Sequence, residues 1–197
     1  MFLIPSPKIN HNLIIDSYDH ILNDYINFLN KGYFFDYTHE NNLTCSNVND
    51  SQSISLPKST GYFWQVCPLI YSKQIIPIVS SDIRISFTSK LLMSFEVKPV
   101  LAVFSMLEPN SRITPHVDRD YHIQRSNGIF TNSSIVKYHF SLDIPNGECG
   151  LQVSDENRIL KNKDLNIFDE SNIHFAYNAS NSRRGVLIIS YDRSELY

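Results

Sequence analysis

The sequence predicts a mainly β protein with supporting helices near its N-terminus, and three observations predict it. From Val100 onward, short runs rich in β-branched and aromatic residues follow one another: VLAVFSML, ITPHV, IVKYHFSLDI, GLQV, LNIF, IHFAY and GVLIISY. Turn-forming clusters sit between them: EPNS, SNG, PNGECG, DENR and NASNSRR. Before them, residues 13–29 carry a helical rather than a strand period. Closely spaced short strands with turn signals argue a sandwich or barrel, of which a jelly-roll or cupin-type barrel is one option.

Each element has its own reason. In LIIDSYDHILNDYINFL (13–29), Leu13, Ile14, Tyr18, Ile21, Leu22, Tyr25, Ile26 and Leu29 fall near one helical face, and Gly32 suits a C-cap. Residues 38–60 are rich in Asn, Ser and Thr without periodicity, which predicts a long loop. YFWQVCPLIY (62–71) has the texture of a buried strand, and residues 81–95 that of a helix. No repeat of fixed period is present. The expectation is one domain over 1–197, with 1–60 as helical and loop support and 61–197 as barrel core.

Bulk composition excludes several functions. The chain has 197 residues, 42% of them hydrophobic, enough for one sizeable core. A net charge of −3 provides no basic field to hold nucleic acid. Cys45, Cys67 and Cys149 form no CxxC pair, so a zinc knuckle is not expected and reduced thiols are. The N-terminus MFLIPSPKIN lacks a basic region before an apolar one, and no run is long enough to span a membrane. A cytoplasmic protein acting on a small molecule or peptide is the expectation, with no signal for a particular oligomeric state.

The chemistry concentrates in the β region. In RITPHVDRD (112–120), His116 and Asp118 lie two apart. On a strand, residues i and i+2 point to one face, so both can meet one ion. His174 on a late strand would complete two histidines and one carboxylate, the facial set of non-haem Fe(II) oxygenases. HxD alone is a common tripeptide, and an ordinary strand end is the competing reading. Arg184 lies ten residues after His174. An antiparallel hairpin would bring it back beside His174, where its donor fork suits a carboxylate. Arg183 reads as a solvated turn residue.

The run FSMLEPNSRITPH, VKYHFSLDIPNGECGLQV and NIFDESNIHFAYNASNSRRGVLIISYD resembles the aspartyl/asparaginyl β-hydroxylase family of Fe(II)- and 2-oxoglutarate-dependent oxygenases. The likeness covers about residues 61–193 and is strongest over 104–192. It rests on four motifs in order: Pro-His at a strand end, YHxxLxIP, FD(E/D)SxxH, and Arg ten residues beyond that His. The resemblance implies a double-stranded β-helix holding Fe(II) on His116, Asp118 and His174. It implies 2-oxoglutarate bound by Arg184, His139 and Ser105, with O2 as oxidant and succinate and CO2 released. Lys137 matches an arginine that holds the substrate carboxylate, and Trp64 a tryptophan near the substrate. Residues 119–134 form a connection longer than in relatives, a lid or substrate wall whose Arg119 and Arg125 can read a substrate. Hydroxylation of an amino acid, an amino-acid-derived metabolite or a short peptide is the leading expectation. A hydroxylase of protein side chains and a non-catalytic ligand-binding barrel are the alternatives.

Overall fold

Two antiparallel sheets make up the β region, and the late strands alternate between them along the chain. The computed structural model describes residues 1–36, 46–47 (backbone alone), 63–76, 86–118 and 135–197. Among these, the helices are α1 (His11–Asp16), α2 (Tyr18–Asn30), α3 (Phe87–Ser94) and α4 (Arg193–Leu196). The strands are β1 (Phe35–Asp36), β2 (Ser46–Asn47), β3 (Trp64–Tyr71), β4 (Gln74–Ile75), β5 (Leu101–Leu107), β6 (Ser111–Arg112) and β7 (His116–Val117). There follow β8 (Ile135–Asp143), β9 (Cys149–Val153), β10 (Glu156–Ile159), β11 (Leu165–Asp169), β12 (His174–Asn178) and β13 (Arg184–Asp192).

The larger sheet runs β1-β3-β5-β13-β8-β11, with β4 beside β3. The smaller runs β10-β9-β12-β7-β2, with β6 beside β12. From β8 the chain passes to β9 and β10 in the small sheet, returns to β11, crosses to β12 and returns to β13. This winding between facing sheets is the double-stranded β-helix.

Strand alternation sorts the larger sheet into an apolar back and a polar front. On β8, Val136, Tyr138, Phe140 and Leu142 join one core with Ile14, Ile21, Tyr25 and Phe28 of the helices and Leu91 and Leu92 of α3. Each such buried side chain contributes roughly 1.5–3 kcal/mol relative to exposure. The intervening Lys137, His139 and Ser141 face the other way, toward the small sheet. Helices therefore plug the back and leave the front for chemistry.

The helical segment differs from the sequence expectation in two ways. It begins at His11, with the Asn10 side chain accepting from Leu13 N, and it breaks at Ser17, where α1 ends and α2 begins. Leu13 and Ile26 are exposed, whereas Phe28 is buried. The buried face runs through the break, over Ile14, Tyr18, Ile21, Tyr25 and Phe28 at alternating spacings of four and three, and Leu13 and Ile26 lie off it. Gly32 does adopt a left-handed φ of 71° past the helix end, as a C-cap requires. α3 starts at Phe87, where Ser86 accepts from Ser89 N. Residues 81–85 of its expected span lie outside the described residues, as does most of the 38–60 loop. Asp24 ties α2 to α3 by accepting from Thr88 N and Oγ1, both at 2.7 Å.

Two β expectations are corrected. DENR is not only a turn: the turn is at Ser154–Asp155, and Glu156–Ile159 form β10, an edge strand exposed along its length. ITPHV gives only a two-residue strand, His116–Val117. Unforeseen, the N-terminus extends the larger sheet: Phe2 bridges Phe168, and Leu3 N donates to Ile167 O at 2.7 Å. No helix among the described residues is long and apolar enough to cross a membrane.

Candidate active site

β7 and β12 pair so that His116 and His174 stand directly opposite each other, with ring centroids 4.4 Å apart. Each ring is fixed by the carbonyl two residues upstream: Nδ1 of His116 bonds Thr114 O at 2.7 Å, and Nδ1 of His174 bonds Asn172 O at 2.9 Å. A carbonyl only accepts, so each Nδ1 carries a proton, which leaves Nε2 as the ring nitrogen that can face a ligand. Both Nε2 atoms lie near Asp118, at 3.3 Å (Oδ1) from His116 and 3.6 Å (Oδ2) from His174. One ligand atom from each of the three lies within 4.8 Å of the others.

Burial, then the Lys137 ammonium and then His116 hold the His174 imidazole well below its usual pKa, so its neutral form prevails. Two nitrogens and one oxygen in a compact set fit a first-row divalent ion such as Fe(II), and leave positions open for other ligands. The backbone carbonyls behind the rings fix their tautomers and orientation.

Lys137, on β8, forms an ion pair with Asp118 Oδ2, and its Nζ lies 3.4 Å from Glu170 Oε2. Glu170 is pinned between the sheets. Its N–H donates to Ile135 O at 3.1 Å, and its carbonyl accepts from Asp118 N at 3.3 Å. Sequence reading passed over Glu170. Its only signal is a buried acid directly after β11, within the FDES segment.

Further along the polar front, Arg184 is 2% exposed. Its Nη2 donates to His139 Nε2 at 2.8 Å. No carboxylate pairs with it among the described residues. Burial lowers the guanidinium to about 10 and, with Arg184 adding to it, keeps His139 well below the usual histidine range, so His139 accepts as a neutral ring. Buried polar atoms without a partner gather on this face: Arg184 Nε, His139 Nδ1, Ser141 Oγ and Asn166 Nδ2. A buried cation with spare donors and no carboxylate fits a small anion such as a dicarboxylate. Ser105 stands in register with Val186, two pairs along from Arg184, and accepts from Trp64 Nε1 at 2.9 Å. Ser141 and Asn166 were not singled out from sequence, although the i, i+2 spacing of Lys137, His139 and Ser141 on one strand marks a polar face.

Arg184 reaches this face by a route the sequence reading did not foresee. β12 and β13 are not a hairpin: they belong to opposite sheets, β12 pairing β9 and β13 pairing β5 and β8. The expected pairing fails because both neighbours of β13 are long strands of the larger sheet. Arg184 thus approaches across the sandwich. Asn178 shapes the crossing: its Nδ2 donates to Glu108 O at 3.0 Å and Ser182 O at 2.8 Å, and its Oδ1 accepts from Ser180. Asn178 is itself fully buried. Arg183 is exposed and pairs with Glu108, as a solvated turn residue should. Asp169 and Ser171 do not touch the metal set. Asp169 accepts from Ser171 N and Oγ and pairs with Arg193, which makes FDES a structured turn. Arg119 and Arg125, with the whole 119–134 connection, lie outside the described residues.

A family model described as aspartyl/asparaginyl beta-hydroxylase matches residues 16–194. No curated protein matches the sequence. Among solved structures, the chain is similar to the DMSP lyase DddQ from Ruegeria pomeroyi DSS-3, at 12% identity over 78% of this chain and 58% of that chain, TM-score 0.43. It is also similar to an oxidoreductase of the 2OG-Fe(II) oxygenase family from Burkholderia pseudomallei, at 12% identity over 70% and 72% of the two chains, TM-score 0.40. A third is the plu4264 protein from Photorhabdus luminescens, at 11% identity over 49% and 65%, TM-score 0.36. The chain spans less than two thirds of the first and third of these, and likeness this remote says nothing of activity.

Proposed function

The chain belongs to the aspartyl/asparaginyl beta-hydroxylase family, and from that premise we propose an Fe(II)- and 2-oxoglutarate-dependent dioxygenase. It hydroxylates an unactivated C–H of an amino acid, an amino-acid-derived metabolite or a short peptide, and releases succinate and CO2. One observation carries this reading: His116 and His174 Nε2 converge on Asp118 beside the small sheet, and the polar front of the larger sheet facing them holds Arg184 with no carboxylate partner among the described residues.

His116, Asp118 and His174 would hold the iron, which with 2-oxoglutarate and O2 supplies the oxidising power. Arg184 would hold the far carboxylate of the cosubstrate. His139 holds the guanidinium in place by accepting from it, and Ser105 adds a hydroxyl to the same pocket. Lys137 attracts the substrate carboxylate. Trp64, anchored on Ser105, walls the pocket with an apolar ring. Arg119 and Arg125 are proposed to read the rest of the substrate. The facing sheets exclude bulk water, which strengthens each of these charged contacts. The reading has a single domain working in the cytoplasm, where reduced thiols and free 2-oxoglutarate are expected.

Succinate formation tests it. Protein given Fe(II), 2-oxoglutarate and air should make succinate, and an amino acid or short peptide should raise the rate. Asp118→Ala and His174→Ala should lower it by more than about 100-fold, since disturbing even an outer partner of a metal ligand costs 10–100-fold. Succinate formation unaffected by those substitutions would exclude the assigned triad.

A further inference from the structure

We propose that Phe2 and Arg158 are positioning residues for the metal ligand His174, acting on it through Phe168. The inference rests on the metal-site reading above and adds to it two residues from the edge of the sandwich, outside the cleft.

The hydrogen bond from His174 Nδ1 to Asn172 O sets the tautomer and the direction of the ring. The tilt of the ring plane is left to the groups that lie against it. Two rings do so: His116, with centroids 4.4 Å apart, and Phe168, at 4.9 Å with planes 57° apart. His116 is itself a candidate ligand, so Phe168 is the wall that stands outside the metal set. It is buried on β11, in a cluster with Leu107, Leu151, Val153 and Ala176. A working site needs its side chains held within about 0.5 Å and 10–20° of the productive geometry.

Phe168 is held in turn from the edge of the sandwich. Phe2 meets it at 80° with centroids 6.3 Å apart, the edge-to-face arrangement that aromatic pairs favour. The backbone locks that contact, since Phe2 bridges Phe168 and Leu3 N donates to Ile167 O at 2.7 Å. Arg158, from β10 of the small sheet, lies over the Phe2 ring with its guanidinium carbon 3.7 Å from the centroid. Its Nη1 donates to Asn166 Oδ1 at 2.9 Å, two residues before Phe168 on β11. Arg158 therefore clamps Phe2 to the strand that carries Phe168. A planar guanidinium with an amide anchor fixes orientation as well as volume, which an aliphatic plug would not. Arg158, Phe2, Phe168 and His174 form one continuous stack. It begins at an exposed arginine and a half-buried ring and ends on a metal ligand.

The test is anaerobic titration of the full chain with Co(II), followed by the visible absorption of the bound ion. Urea unfolding of the metal-free protein controls for folding. Phe2→Ala and Arg158→Ala should each stay folded and weaken Co(II) binding by roughly tenfold, the lower end of the loss expected for an outer partner of a metal ligand. Phe2→Tyr keeps the ring and should keep wild-type affinity. Phe168→Leu keeps much of the volume and removes the ring, and should weaken Co(II) similarly. Adding Phe2→Ala to it should cost little more, because the two act in series. If Phe2→Ala unfolds, Arg158→Ala decides alone, since it removes no core atom. A role in stability alone would lower the urea midpoint and leave the Co(II) affinity of folded protein unchanged. That result overturns the inference, as does a Phe2→Ala loss that adds in full to that of Phe168→Leu, and either leaves the metal-site reading standing. Wild type that takes up no Co(II) overturns both.

Discussion

At Arg184, function and stability pull in opposite directions. The guanidinium is buried with one neutral partner and no carboxylate among the described residues. Such a charge costs folding free energy until an anion arrives. Arg184→Met is therefore expected to leave the thermal midpoint of the ligand-free protein at or above wild type. The same substitution should abolish the midpoint rise that 2-oxoglutarate gives the metal-loaded protein. A clear fall in the ligand-free midpoint would contradict this. Its neighbour His139 sets a pH dependence. Burial, reinforced by Arg184, depresses the folded-state pKa, so the folded ring stays neutral while the unfolded ring takes a proton below about 6.5. The unfolded state then binds more protons, and stability falls as pH drops below 6.5, by at most about 1.4 kcal/mol per pH unit for this group. Urea unfolding of metal-free protein at pH 7 and pH 5 should show that loss. His139→Gln should shrink it, with His174 providing the remainder. His116 and Asp118 were legible in the sequence because i, i+2 geometry on a strand needs only local information, whereas His174 on a distant strand was reached through the family resemblance. Glu170 was not, because what distinguishes it is its clamp between two strands distant in sequence.

At the level of elements, the strand runs after Val100 were readable because burial on a sheet imposes a period of two. Their partners were not, since pairing is decided across the whole fold. β12 and β13 illustrate the failure. Adjacent in sequence and separated by a turn-rich NASNSRR, they read as a hairpin, yet they lie in opposite sheets. The helical face was drawn too wide for a related reason: Leu13 and Ile26 are apolar yet exposed, and only the packing partners single out Ile14, Tyr18, Ile21, Tyr25 and Phe28. Packing of α2 on β13 gives a sharp test. A Cβ at Gly185 would lie 2.4–2.8 Å from the Tyr25 ring, closer than real contacts allow. Gly185→Val should drive α2 off the sheet next to Arg184 and destabilise the fold by about 1–3 kcal/mol, read as a lower urea midpoint. Gly32→Ala, where nothing lies within 4 Å of the new Cβ, should cost only the strain of its positive φ.

At the scale of the molecule, the helices and the larger sheet share one apolar core, while the site faces the small sheet. Helices and barrel should therefore unfold together. Far-UV circular dichroism and the fluorescence of Trp64, the sole tryptophan, should report one coincident urea transition. Two separated transitions would divide the proposed single domain. The central claim concerns the front of that sheet, and an anaerobic optical titration tests it most directly. Fe(II) and then 2-oxoglutarate are added to wild type, Asp118→Ala, His174→Ala and Arg184→Ala. A visible metal-to-ligand charge-transfer band in wild type, lost in the two ligand variants and weakened in Arg184→Ala, is the predicted result. No band in wild type, with iron not retained, would contradict it and leave a barrel that binds ligands without oxidising them.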